Sequence, residues 1–191
     1  KESVRNEQKA LKAIAKAQSI IVSLVNKWYE HSKQVNKELH VAEKNFERVT
    51  GLGREFARDL TNAFVATRQF GVSMQEAADA TMALRRNFID FNFKSQETRG
   101  ELEKVVALLG EVGVSYDDAA QSIQISTKMM GMSASEAAQA SISLRAFAQD
   151  IQVDPGQLFA DYSKAGATLA KFGSDGVRVF KDLAATSKAT N

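Results

Sequence analysis

The side chains best able to do chemistry in this 191-residue chain are few and poorly matched to one another. Asp117 and Asp118 are the one adjacent acidic pair in a helix-like stretch, and paired carboxylates can share general acid and base work. Here they stand where a helix begins, a position in which acids simply favour the helix dipole. His31 and His40 are the only histidines, and no cysteine is present. Neither histidine has a second imidazole or a carboxylate cluster spaced to complete a metal site. Serines are plentiful, but both histidines lie in the leading segment, so a Ser-His relay is poorly supported. The glycines are scattered and form no phosphate-cradling loop. The reading is therefore of a protein that is not an enzyme, with no catalytic residue, no cofactor-binding residue, no cofactor and no metal.

Composition narrows the classes further. Apolar residues make up 44% and charged residues 25% of the chain, ordinary values for a folded globular protein. One proline and eleven glycines suit a mostly helical chain. The absence of cysteine leaves no disulfide framework to ask for an oxidising compartment. The longest apolar run, Val105 to Leu109, is far too short to span a bilayer. Lys1 in place of an initiator methionine leads to the expectation of a segment cut from a longer chain. Residues 1–50 carry ten basic against six acidic side chains, and residues 51–191 carry fifteen against seventeen. That is no dense basic face, so no specific nucleic acid is expected as a partner.

The elements follow from the apolar spacing. Leu11, Ile14, Ile21, Val25, Trp28, Val35, Leu39, Ala42, Phe46 and Val49 fall in alternating steps of three and four, the a and d positions of a heptad repeat. Polar Gln18 and Ser32 fill the two remaining a positions, and His31 and His40 fall at g and b. No glycine or proline interrupts the pattern, which predicts a coiled-coil helix over 1–50, about 70 Å long. A seam of that length is the expected oligomer interface. A helix folded back along its own bundle is the other way to bury it. Gly51 and Gly53 are expected to end the helix, and Phe56, Leu60, Ala63 and Phe64 lie on one face of the next.

From residue 70 a local pattern recurs. FGVSMQEAADATMAL begins at Phe70, VGVSYDDAAQSIQI at Val112 and MGMSASEAAQASISL at Met130. In each, a glycine able to take a left-handed conformation ends one helix, and a serine with an acid three residues later can form a capping box for the next. The trios are Gly71, Ser73 and Glu76; Gly113, Ser115 and Asp118; and Gly131, Ser133 and Glu136. Val72 is placed to staple onto Ala77. Asp154 with Pro155 at the first helical position is a variant in which Gln157 stands in for the acid. Gly173-Ser174-Asp175 is a looser copy, and Asn92-Phe93-Lys94-Ser95 a degenerate one. Corners at 71, 113, 131, 152 and 173 are separated by 42, 18, 21 and 21 residues, and 42 is twice 21. Residues 51–191 are thus expected to form a compact array of about six short helix-corner units. The fold class is all-α, with a long N-terminal coiled-coil helix followed by that array. Arg85-Arg86 and the series Lys164, Lys171, Arg178 and Lys181 read as solvated faces. Met129, Met130 and Met132 read as core filler.

The combination of FGVSMQEAADATMAL, MGMSASEAAQA and the tail IQVDPGQLFADYSKAGATLAKFGSDGVRVFKDLAATSKATN resembles the tape measure proteins of tailed bacteriophages. The likeness covers roughly residues 50–191 and rests on motifs that are individually degenerate. It implies a helical structural protein of the virion, present in several copies inside the tail. It sets tail length during assembly in the host cytoplasm and leaves the tube when DNA is delivered. Implied partners are further copies, as a trimer or hexamer, together with tail tube and baseplate hub proteins; membrane contact is implied only during infection. The family is commonly far longer than this chain, so one ordered segment is expected. A bacterial helical module that binds a partner helix in a signalling or secretion system is the alternative reading.

Overall fold

In a computed structural model the backbone is described for residues 2–50 and 54–190, and side chains at 19, 22–42, 44, 47–48 and 58–190. Every regular element among these residues is helical. α1 spans Glu2–Thr50, α2 Arg54–Thr67, α3 Met74–Asn87, α4 Gln96–Gly110, α5 Tyr116–Gln124, α6 Ala134–Asp150, α7 Pro155–Leu169 and α8 Gly176–Thr190. Short 3-10 turns at Arg68–Phe70, Phe91–Phe93 and Ala170–Asp175 join some of them, and α5 widens into a π-turn at Ile125–Met129. The glycines expected to end α1, Gly51 and Gly53, lie outside the described residues.

The chain divides into two compact units, residues 1–41 and 42–191. The division falls inside α1, and Ala42, the first residue of the second unit, is 3% exposed. Within the second unit, helices two apart in the chain lie side by side: α2 by α4, α3 by α5, α4 by α6 and α5 by α7. Even-numbered and odd-numbered helices therefore make two layers, and α3, α4 and α5 each have neighbours on several sides. Alanines at 77, 78, 80, 119, 120, 137 and 138 are buried between them, and small side chains let helix axes approach closely. Phe88, Phe91, Phe159 and Tyr162 are fully buried and fill the wider gaps, and Tyr162 meets Phe180 edge-on at 5.1 Å.

Local chemistry explains the corners. Gly71, Gly113, Gly131 and Gly173 all have positive φ, between 54° and 98°. Ser73 accepts the Glu76 N–H at 3.2 Å while the Glu76 carboxylate accepts the Ser73 N–H at 2.7 Å, and Ser133 and Glu136 repeat both bonds at the same distances. The backbone donor of Ser73 holds the Glu76 carboxyl below its usual range, with the serine hydroxyl adding to the effect, and Ser133 does the same for Glu136. Val72 and Ala77, at the first corner, are both buried. Ser95 caps α4 by accepting the Thr98 N–H, although no residue near Asn92 takes a positive φ.

Two corners differ from the expected form. Ser115 accepts the Asp118 N–H, but the Asp118 carboxylate takes the Ser115 hydroxyl at 2.7 Å and makes no return bond to the backbone. Aspartate is one methylene shorter than glutamate and stops at the nearer group. Asp154 accepts the Gln157 N–H at 2.8 Å behind Pro155 at the start of α7, yet the Gln157 side chain does not accept the Asp154 N–H in return, and its amide donates onward to Asp161. The left-handed position of that corner is held by Gln152, with φ 55°, where the other corners have glycine.

Candidate interaction surface

α1 carries the most concentrated set of exposed large apolar side chains. Val25 at an a position is 56% exposed and Trp28 at a d position 70% exposed; Val22, Leu24 and Tyr29 beside them are also more than half exposed. Further along the same seam Ser32, Val35 and Leu39 are half-buried and Ala42 is buried. The remaining seam residues, Leu11, Ile14, Ile21, Phe46 and Val49, and polar Gln18, have side chains outside the described residues. The polar flanks of the helix are occupied locally. Lys33 pairs with Glu30 at 3.3 Å and lies 4.4 Å from the Tyr29 ring centre, and Gln34 donates to Glu38 at 2.7 Å. An apolar stripe flanked by self-satisfied polar side chains suits helix-to-helix contact: burying a valine or tryptophan there gains about 2 kcal/mol each in transfer terms. His31 and His40 lie on the exposed sides of this helix. Among the described residues no three acidic, histidine or cysteine side chains are grouped as a metal site would need.

The acidic pair at the start of α5 has a structural partner. Asp117 accepts from Arg86, and from the Asn87 amide at 2.6 Å, which ties α3 to α5. Arg85, expected on a solvated face with Arg86, instead turns inward. Its side chain is 10% exposed and lies 3.7 Å from Asp59 on α2. Asp59 also receives two bonds from Arg99 on α4, at 2.8 and 3.2 Å, and Arg99 donates a third to the Lys94 carbonyl. Glu103, one turn further along α4, is 1% exposed. Burial pushes its carboxyl up to about 8, and the charge of Asp59 adds to the rise, against a hydrogen bond with Thr81 and the pull of Arg85 and Arg99. Burial thus favours the neutral form of Glu103, and the quartet joins α2, α3 and α4 from within. Asp59 is 3% and Arg99 19% exposed at the side chain, so the group lies mostly inside the junction of the three helices.

The other basic and sulfur side chains divide. Lys164, Lys171 and Arg178 are exposed as expected, whereas Lys181 is half-buried, donates to the Ser143 hydroxyl and lies 5.7 Å from the Phe147 ring centre. Met130 is buried and accepts from the Tyr162 hydroxyl at 3.3 Å, while Met129 is 42% exposed and is not core filler. Burial raises the Tyr162 phenol above its usual value despite a bond shared with Ser126.

No protein-family model, curated protein or solved structure matches this chain.

Proposed function

We propose that this chain is an ordered segment of a phage tail tape measure protein, a structural part in which α1 self-associates as a coiled coil and the capped array docks on a component of the tail. The observation that carries the self-association is the exposure of Val25 and Trp28 on an uninterrupted helix, at heptad positions that a partner helix would bury. The tail assignment draws on the resemblance of the corner and tail motifs. The expected assembly is a trimer or hexamer coaxial with the tube, acting as a spacer during assembly and leaving with the DNA. A host module that binds one helix of another protein would use the same exposed stripe and is the second reading.

Inserting two heptads into α1 of the parent protein tests the spacer role. Tails should lengthen by about 21 Å per insertion, the rise of fourteen helical residues. Tails of unchanged length would take this helix out of the ruler, and absence of the chain from purified particles would leave the partner-binding module.

A further inference from the structure

The buried junction of α2, α3 and α4 holds two acids and two bases that are not paired one to one. Asp59 of α2 takes both guanidinium groups: Arg99 of α4 through bonds at 2.8 and 3.2 Å, and Arg85 of α3 at 3.7 Å. Glu103 stands four residues after Arg99 on α4, a spacing at which side chains on one helix face each other. Even so, its Oε1 is buried with no hydrogen-bond partner among the described residues. A carboxylate oxygen left in that state is costly, whereas a protonated carboxyl is neutral and tolerates the site. The charged groups that bear on Glu103 are Asp59 from α2, Arg85 from α3 and Arg99 from its own helix; α5 and α6, which also pack on α4, add none.

We propose that Arg99 is the moving part of a proton-operated latch: it fastens α4 to α2 through Asp59 while Glu103 holds its proton, and turns along its own helix to Glu103 when that proton leaves. A guanidinium can give two parallel bonds to one carboxylate, so the two acids compete for it. Neutral Glu103 offers no charge, and Asp59 therefore receives both the Nε and the Nη2 of Arg99. The bond from Arg99 Nη1 to the Lys94 carbonyl adds to the same setting. Ionised Glu103 puts a second negative charge beside Asp59 in a space closed to solvent, where the two repel. Turning Arg99 to an acid one turn along the same helix relieves that repulsion without moving the backbone. Asp59 then keeps the longer contact with Arg85, and the charge link between α2 and α4 is broken. Because the fold favours the protonated carboxyl, the link is complete at low pH and is lost as pH rises. The latch does not rest on the tail assignment.

The test follows the full chain by NMR from about pH 5.5 to about pH 9.5, beside its Glu103→Gln variant. The Glu103 carboxyl carbon reports ionisation, and the Arg99 Nε signal reports the partner of the guanidinium. In the wild type both are expected to move with one midpoint at about 8, and in Glu103→Gln the Arg99 signal should not move. Urea unfolding measures the link itself. Asp59→Asn should raise the unfolding constant about tenfold at about pH 6 and less than about threefold at about pH 9, but equally at both in the Glu103→Gln background. A Glu103 carbon that titrates while the Arg99 signal stays fixed would overturn the latch, as would a Glu103 carbon that does not titrate in this range. A cost of Asp59→Asn that is the same at both pH values in the wild type would overturn it too. If Asp59→Asn does not fold, the Arg99 signal in the wild type and in Glu103→Gln decides the matter alone.

Discussion

Replacing Glu103 with glutamine changes one buried proton and should change how the stability of the whole array depends on pH. The folded chain holds the Glu103 carboxyl at about 8 against 4.5 for the free side chain, so between those values the folded state binds a proton that the unfolded state has released. Stability contributed by this group is therefore complete below pH 4.5, declines as pH rises and is gone above pH 8. Each pK unit corresponds to about 1.4 kcal/mol, which gives an upper figure of about 5 kcal/mol across the window, lowered by any relaxation of Arg85 and Arg99 toward the new charge. Glu103→Gln keeps the shape and the capacity to bond Thr81 but never ionises. Urea unfolding at intervals from pH 4.5 to 9 should show the wild type losing stability relative to the variant by up to about 5 kcal/mol, with the two nearly equal at the acid end. Parallel pH profiles, or a variant several kcal/mol less stable than wild type at pH 9, would mean that Glu103 is ionised and paired with the arginines, and the reasoning would fail.

Two further predictions concern the corners. Ser73→Ala and Ser133→Ala each remove a cap that accepts a backbone N–H, and each should cost about 1 kcal/mol in urea unfolding. Gln152→Gly should instead raise stability, by about 0.5 kcal/mol, because relief of a left-handed glutamine slightly outweighs the added freedom of the unfolded chain; a loss would show that the Gln152 side chain matters to the corner.

The corners were readable because their chemistry is local. A glycine, a serine two residues on and an acid three after that specify a turn without help from the rest of the fold, and Ser73-Glu76 and Ser133-Glu136 close as that logic requires. Where the acid shortens to Asp118 or becomes Gln157, side-chain reach decides the outcome, and the general pattern does not encode reach. The Asp59, Arg85, Arg99 and Glu103 junction was not readable, since Asp59 and Arg99 meet across forty residues of chain. Adjacent Arg85 and Arg86 look alike in sequence, but successive helical residues point about 100° apart, and only Arg85 faces α2. One signal for Glu103 was present: it stands between Leu102 and the buried pair Val105-Val106, in a helix with neighbours on more than one side. A helix enclosed in that way has too little solvated surface to keep every charged side chain outside.

Sedimentation equilibrium of the purified chain beside its Val25→Asp/Trp28→Asp variant tests the central claim most directly. Burial of the α1 seam between copies predicts a trimer or hexamer for the wild type and a lower order for the variant, since each buried carboxylate would go unpaired in an apolar seam. Equal masses for the two proteins at every concentration would contradict it, and α1 would then be an exposed helix awaiting a partner of another kind.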